Sequence, residues 1–167
     1  MGLRFNWKEI SSRSHGLTFD DVLLVPNKSE VRSRRDPSLT TWVTRRHQLA
    51  IPIVSANMDT VTEAEMAIAM HKLGGLGVLH RFVSVEDQVR MVEAVRLAGV
   101  PLIAASVGVM TSASEDFQQR AQALLSAGVS IVTVDIAHGH STSMIETIKW
   151  IKDKSPSVAV IAGNVAT

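Results

Sequence analysis

The chain has no cysteine among its 167 residues, so it can form no disulfide, which is typical of proteins of the cytoplasm. No stretch reaches the ~18 consecutive apolar residues of a membrane-spanning helix, and the polar residues 1–15 lack the apolar core of a signal peptide. Neither sign of charge is in excess, since 17 basic and 16 acidic residues leave a formal net charge of +1. We therefore expect a cytoplasmic globular protein with no membrane and no nucleic-acid partner.

Five nearly continuous apolar runs are present, and a segment with helical periodicity separates each run from the next. The runs lie near 52–56, 76–80, 102–106, 130–135 and 158–162, and the helical segments near 62–73, 84–98, 114–127 and 141–154. Strands that are covered on both faces are apolar throughout. A strand–helix repeat with a period of about 26 residues predicts parallel strands joined by right-handed crossovers.

Several of these helical segments begin or end with residues that are typical of helix termini. Thr62 and Glu65 have the spacing of a capping box, and Ser84 and Ser141 are favourable residues for the start of a helix. Glycine is typical of the position that follows a helix, and it occupies positions 74, 99 and 128.

Two architectures fit this order of elements. A five-stranded doubly wound sheet suits the length, whereas a TIM (β/α)8 barrel needs eight units and about 250 residues. The last apolar run is followed by Asn164 and three further residues, with no covering helix. We therefore expect an α/β fold, a TIM barrel of which this chain contains the first five strands and four helices. Residues 1–50 would form an N-terminal arm with short strands, one of them near 39–43, and a basic loop; residues 51–167 would form the N-terminal part of the barrel.

Polar or glycine residues follow each apolar run, at the ends of the strands where α/β enzymes build their sites. Asp135 is one of them, and it could bind a ligand or cap the helix that starts near Ser141. His138 and His140 have the spacing of a metal pair, but no third ligand lies nearby in the sequence and we expect no metal site. The basic loop around Arg34 could bind a small anion or be a solvated loop.

Five ordered segments carry a family resemblance. They are Leu-Thr-Phe-Asp-Asp-Val-Leu-Leu-Val-Pro at 17–26, Ser-Ala-Asn-Met-Asp-Thr-Val at 55–61, His-Arg-Phe at 80–82, Asp-Ile-Ala-His-Gly-His-Ser at 135–141 and Ala-Gly-Asn-Val-Ala-Thr at 162–167. Over nearly its whole length the chain resembles the IMP dehydrogenase/GMP reductase family. The resemblance implies a TIM barrel that exchanges hydride between a nicotinamide cofactor and the purine C2 of GMP or IMP. It also implies a catalytic cysteine on a loop beyond Thr167, so these 167 residues are expected to be inactive by themselves.

The resemblance assigns cofactor-binding roles to six residues. Asp135 would accept the ribose hydroxyls, and Ile136 and Ala137 would line the nicotinamide side. Arg81 stands near the cofactor where many members have lysine, and an arginine holds its charge but rarely gives up its proton. In the basic loop, Ser33 and Arg34 match a pair that holds NADPH from a neighbouring subunit. The resemblance therefore implies a homotetramer, and a monovalent cation as a further cofactor of the complete enzyme.

On the substrate side, the resemblance places Asn57, Met58 and Asn164 beside the purine. Asn57, the segment 80–82 and the segment 106–108 resemble reductases, and Gln88 to Leu102 leaves no room for the regulatory CBS modules of most dehydrogenases. The segments 62–64 and 66–70 look more like dehydrogenases. The sequence thus favours an NADPH-dependent GMP reductase. The alternatives are an NAD-dependent IMP dehydrogenase without CBS modules and a non-catalytic α/β binding module.

Overall fold

A computed structural model describes residues 18–111 and 115–165, apart from the side chains of Phe19 and Glu115. The first residue of the 17–26 segment and the last two of the 162–167 segment lie outside the described residues, as does the start of the 114–127 helical segment. The chain divides into two compact units, residues 1–37 and 38–167. In the first unit a short 3-10 helix, Phe19–Asp21, is closed by the Asp21 carboxylate, which accepts the Thr18 backbone N–H at 2.8 Å.

In the second unit the described residues form seven strands and four helices, and the four helices alternate with the last five strands. In chain order the elements are β1 Thr41–Trp42, β2 Gln48–Leu49, β3 Val54–Ser55, α1 Ala64–Lys72, β4 Leu76–Leu79, α2 Val85–Leu97, β5 Ala104–Val107, α3 Glu115–Ser126, β6 Ile131–Asp135, α4 Thr142–Lys154 and β7 Ala159–Gly163. Across the described residues, no helix is both long enough and apolar enough to span a bilayer.

The strands form two sheets. β1 and β2 pair antiparallel, so the strand predicted near 39–43 has a partner, Gln48–Leu49, that the sequence did not reveal. The other five form a curled parallel sheet in the order β3-β4-β5-β6-β7, with each strand beside its chain neighbour. The parallel α/β fold is thus confirmed, as a partial TIM barrel.

The core shows why the fold is barrel-like rather than doubly wound. Buried side chains of all four helices pack in one cluster with alternate strand residues such as Leu79, Val107 and Val134. The remaining strand residues, among them Val78 and Ile131, form a second cluster that contains no helical residue. Because successive strand residues point to opposite faces, the helices all cover the same face of the sheet, whereas a doubly wound sheet has helices on both.

Most of the predicted helix ends are confirmed. The Ser84 and Ser141 hydroxyls accept the backbone N–H groups of Asp87 at 3.0 Å and Met144 at 3.3 Å. The glycines at 74, 99 and 128 follow helices with φ of +88°, +81° and +88°, which is the left-handed conformation expected of such positions.

The capping box predicted for Thr62 and Glu65 is wrong. Helix α1 begins at Ala64 and no side chain caps it. Thr62 is fully buried, and its hydroxyl lies 2.5 Å from the Ala56 carbonyl and 2.8 Å from the Ser55 hydroxyl. A buried hydroxyl must satisfy its hydrogen bond, so this side chain holds the end of β3 instead of the helix.

Candidate functional site

A cavity of about 280 Å³ lies where the carboxyl ends of β4, β5 and β6 meet α3. We call it the tip cavity. It is lined by Arg81, Gly108, Val109, Asp116, Phe117, Arg120, Asp135 and Ile136. Four of these eight residues are charged, two of each sign, so the cavity can interact with both hydroxyl and anionic groups of a ligand.

Arg81 and Asp135 face each other in the tip cavity. The Arg81 Nε and an Asp135 carboxylate oxygen are 3.8 Å apart, and the two side chains are 33% and 25% exposed. Arg81 Nε is buried and makes no hydrogen bond among the described residues. The guanidinium lies 4.8 Å from the centre of the Phe82 ring, a distance suited to a cation–π contact. The pair therefore has a positive charge, acceptor oxygens and one unused buried donor.

Asp135 does not cap helix α4. The Ser141 hydroxyl takes that role by accepting the Met144 backbone N–H. The alternative role for Asp135, that of a helix cap, is therefore wrong. Its carboxylate faces Arg81 at the end of β6 instead.

The ends of β6 and β7 are tied together through their backbones. Ile136 donates its N–H to the Gly163 carbonyl at 3.0 Å and accepts the Asn164 N–H at 2.6 Å. Gly139 donates to the Asn164 carbonyl at 2.7 Å, and a Cβ at Gly139 would lie 2.6 Å from that oxygen. The peptide bond between Gly163 and Asn164 is cis. The structure thus brings Ile136 and Asn164 together beside Asp135, whereas Ala137 is exposed.

Asn57 and Met58 lie elsewhere along the sheet. They follow β3, the first strand of the parallel sheet, and neither lines the tip cavity. Asn57 is half-buried and Met58 is 56% exposed. The Met58 carbonyl accepts the N–H groups of Val61 and Thr62, both at 3.2 Å, which fixes the backbone of this segment.

Ser33 and Arg34 belong to the first unit, where they form part of a tight turn. Asp36 donates its N–H to the Ser33 carbonyl at 3.1 Å, and its carboxylate accepts the Ser33 N–H at 2.8 Å. The Arg35 N–H in turn reaches the Ser33 hydroxyl at 3.2 Å. Arg34 is exposed at the middle of this turn.

The rings of His138 and His140 are 6.5 Å apart. Within the ranges that the structure describes, no three histidine, cysteine or acidic side chains are placed to hold a metal ion.

Sequence reasoning missed three residues of the tip cavity that α3 contributes: Asp116, Phe117 and Arg120. Asp116 and Arg120 have the spacing of a surface ion pair on a helix, with 3.7 Å between their charged atoms. Arg120 is nevertheless only 8% exposed. A helical arginine is mostly exposed in proteins, so the sequence held no signal that this one is buried.

The chain matches a known protein family over most of its length. The model described as "IMP dehydrogenase / GMP reductase domain" matches residues 16–167. The inosine-5'-monophosphate dehydrogenase of Cryptosporidium parvum is 36% identical over 194 residues, covering 91% of this chain and 46% of the relative. That of Halalkalibacterium halodurans is 30% identical over 276 residues, covering 93% and 57%. The GMP reductase of Leishmania donovani is 52% identical over 83 residues, covering 50% and 17%.

The chain spans about half the length of the dehydrogenases it matches. The family match covers all five segments that carried the resemblance in the sequence, and the partial barrel agrees with it. The chain therefore belongs to the IMP dehydrogenase/GMP reductase family.

Proposed function

We propose that the protein, at its native length, is an oxidoreductase that converts GMP to IMP with NADPH. The balanced reaction is GMP + NADPH + 2 H⁺ giving IMP + NH₄⁺ + NADP⁺. The observation that carries the proposal is the Arg81–Asp135 pair at the strand ends, inside a cavity. NADPH supplies the hydride when it is bound, and the residues described here bind and orient it.

The tip cavity fits the nicotinamide-ribose end of such a cofactor. A carboxylate accepts hydrogen bonds only, so Asp135 can hold both ribose hydroxyls, as acidic residues do in other dinucleotide sites. Arg81 offsets the negative charge of Asp135 next to an anionic ligand, and its unbonded buried Nε gains an acceptor on binding. At about 280 Å³ the cavity is at the small end for ligand pockets, so it would hold part of a dinucleotide rather than all of it.

The preference for NADPH rests on the turn at Ser33 and Arg34. An arginine fork suits the 2′-phosphate that distinguishes NADP from NAD. Asp36 fixes the turn by accepting the Ser33 N–H, which leaves the exposed Arg34 guanidinium available for a ligand. In a homotetramer this loop would reach the site of a neighbouring subunit, as the family resemblance implies.

The substrate purine would lie against Asn57, Met58 and Asn164. The Asn164 backbone is held beside Ile136, next to the proposed nicotinamide position. Met58 is 56% exposed, so its apolar side chain is available to a base. The reaction also requires the cysteine expected beyond Thr167 from the family resemblance.

One comparison supports the reductase, since the Leishmania GMP reductase is 52% identical over half of the chain. The alignment with the Halalkalibacterium dehydrogenase is 276 residues long, longer than this 167-residue chain, so that relative carries segments that this chain lacks. In this sequence Gln88 and Leu102 are separated only by the rest of α2 and a short loop.

A second candidate is an NAD-dependent IMP dehydrogenase without CBS modules, which produces XMP. It is favoured by the dehydrogenases that match about nine tenths of the chain.

One absorbance experiment on the protein at its native length separates these functions. GMP with NADPH is placed in one cuvette, and IMP with NAD in another, and the nicotinamide band is followed. Loss of absorbance in the first and no change in the second supports the reductase. A rise in the second supports the dehydrogenase, and no change in either supports a non-catalytic binding module.

The cofactor preference has its own test, which is Arg34→Ala in the same protein. Loss of a charge-assisted bond to the 2′-phosphate should weaken NADPH binding about 10- to 100-fold and leave NADH binding nearly unchanged. Arg35→Ala, one position along the same turn, removes the same charge and is the control. Equal losses for the two cofactors would contradict the assignment of the 2′-phosphate to Arg34.

A further inference from the structure

A single buried amide connects the ends of two strands beside the tip cavity. Gln88 on α2 is fully buried, and its Nε2 donates to the carbonyls of His80 at 3.0 Å and Ser106 at 2.8 Å. His80 follows the last residue of β4, and Ser106 is the third residue of β5. Arg81 comes directly after the first carbonyl and Gly108 two residues after the second, and both line the tip cavity. Both amide protons of Gln88 are therefore used to fix the backbone next to the site.

Arg120 on α3 determines which way this amide points. Its Nη1 donates to the Gln88 side-chain oxygen at 2.9 Å, and its Nη2 donates to the Val83 carbonyl at 2.9 Å. Since a guanidinium has only donors, the amide oxygen must face Arg120 and the amide nitrogen must face the two carbonyls. The orientation of Gln88 thus follows from the chemistry of its partner.

Stability alone does not explain this arrangement. A buried charge has a large desolvation cost, and apolar residues of similar volume often stabilise a core equally well or better. The acidic group nearest to Arg120 is Asp116, which is 3.7 Å away and 71% exposed. A satisfied polar network in a core does, however, select one conformation of the groups that it connects. Here those groups are the strand ends that carry Arg81 and Gly108.

The distance between Arg81 and Asp135 depends on that conformation. Arg81 is held at the end of β4, and Asp135 at the end of β6, with β5 between them. Gly108 lies against the guanidinium, since a Cβ there would be 3.7 Å from the Arg81 Cζ. A shift of either strand end would therefore move the Arg81 guanidinium relative to the Asp135 carboxylate.

We propose that Gln88 and Arg120 are positioning residues for the cofactor, which act by fixing Arg81 and Gly108 opposite Asp135. Arg120 orients the Gln88 amide, and Gln88 holds the two strand ends. This inference rests on the proposed binding of a nicotinamide cofactor at the tip cavity. The inference extends that proposal to Gln88 and Arg120, which are buried and form hydrogen bonds with the backbone and with each other.

The test uses Gln88→Glu, which keeps the size of the side chain and its bond to Arg120 but replaces the nitrogen donor by oxygen. NADPH affinity, measured by calorimetric titration of the purified protein, should fall by about tenfold or more, because a displaced Arg81 would lose one or two hydrogen bonds to the cofactor. Gln122→Glu, on the exposed face of α3, is the matched control and should leave the affinity unchanged. Arg120→Lys retains the positive charge but loses the planar guanidinium that donates to both Gln88 and Val83. It provides a milder second variant if Gln88→Glu does not fold.

A double-mutant cycle distinguishes positioning from general destabilisation. If Gln88 acts through Arg81, Gln88→Glu should have little further effect on NADPH affinity once Arg81→Ala is present. The fall in melting temperature that it causes should be the same in both backgrounds. A full additional loss of affinity in the Arg81→Ala background would overturn the proposal.

A measurement without ligand separates this proposal from the function on which it rests. Arg81 Nε–H is buried whereas Arg90 is exposed, so NMR should show slower solvent exchange at Arg81. Gln88→Glu or Arg120→Lys should accelerate exchange at Arg81 and not at Arg90. If the unchanged protein binds no NADPH, the proposed function fails, and the exchange rates alone decide whether the pair positions Arg81. Unchanged exchange at Arg81 in both variants would overturn the inference.

Discussion

Gly77 lies where strand β4 touches helix α1, and its replacement by alanine is a severe test of the packing. An added Cβ would lie 2.4 Å from the Ala67 Cα, 2.8 Å from the Ala67 Cβ and 3.2 Å from the Ala67 nitrogen. Ordinary contacts of a Cβ begin at 3.4 Å. Two of the three neighbours are helix backbone atoms, so no side-chain rotation can relieve the overlap. Either β4 or α1 must move by about 1 Å to reach that ordinary distance.

The expected cost follows from that displacement. Overpacking a core costs about 1–3 kcal/mol, and a clash with helix backbone atoms belongs at the upper end of this range. Alanine recovers about 0.4–1 kcal/mol by restricting the unfolded chain. The net loss in the free energy of unfolding should be about 2–3 kcal/mol, a large fraction of the 5–15 kcal/mol that is typical of a domain.

Urea denaturation followed by circular dichroism measures this loss directly. Gly108→Ala is the control, because the nearest atom to its Cβ would be 3.7 Å away, and its stability should stay within about 0.5 kcal/mol of the unchanged protein. If Gly77→Ala were as stable as the control, the close contact between β4 and α1 would be refuted.

Three further predictions concern α2 and the core. Ser84→Ala removes the hydroxyl that caps α2 and should lower the free energy of unfolding by about 1 kcal/mol. The Ser84 hydroxyl and Arg90 hold the pKa of Asp87 below its usual value, so its contribution to stability is present above about pH 4. It is lost as pH falls through the lowered pKa, and thermal melts of Asp87→Asn and of the unchanged protein should converge below that pKa. Leu124→Ala, at a fully buried position, should cost about 2–5 kcal/mol in urea denaturation, whereas Leu97→Ala, at an 85% exposed one, should cost under about 0.5 kcal/mol.

The parallel sheet and its helices could be predicted from the sequence because their signals are local and strong. The strand predicted near 130–135 is present in the structure as Ile131–Asp135. Gly99 and Gly128 follow their helices, as the sequence predicts. Thr62 shows where local signals fail, because the carbonyl of Ala56 competes for the hydroxyl that the capping pattern requires. Strand β2 was missed because its two residues follow a basic, polar stretch and gain their order from pairing with β1.

The site was predictable only in part. Asp135 and Arg81 follow apolar strands, so their meeting at one edge of the sheet follows from parallel topology. Gln88 and Arg120 occupy helix positions where polar residues usually face solvent, and their burial depends on how α2 and α3 pack. Such contacts between elements distant in sequence have no periodic signature. Ser33 and Arg34 lie in the other unit, and their role stays a prediction from family resemblance.

In the parallel sheet, each strand pairs with the strand that comes next in the chain. A newly synthesised strand can therefore find its partner already emerged from the ribosome, and no pairing has to wait for a distant segment. Pairing with the chain neighbour keeps the sequence separation of these contacts as short as parallel strands allow, and a shorter separation favours faster folding. During synthesis the amino-terminal strands are available first. The barrel can thus grow one strand–helix unit at a time, with the end of β4 in place before the ends of β5 and β6 complete the tip cavity.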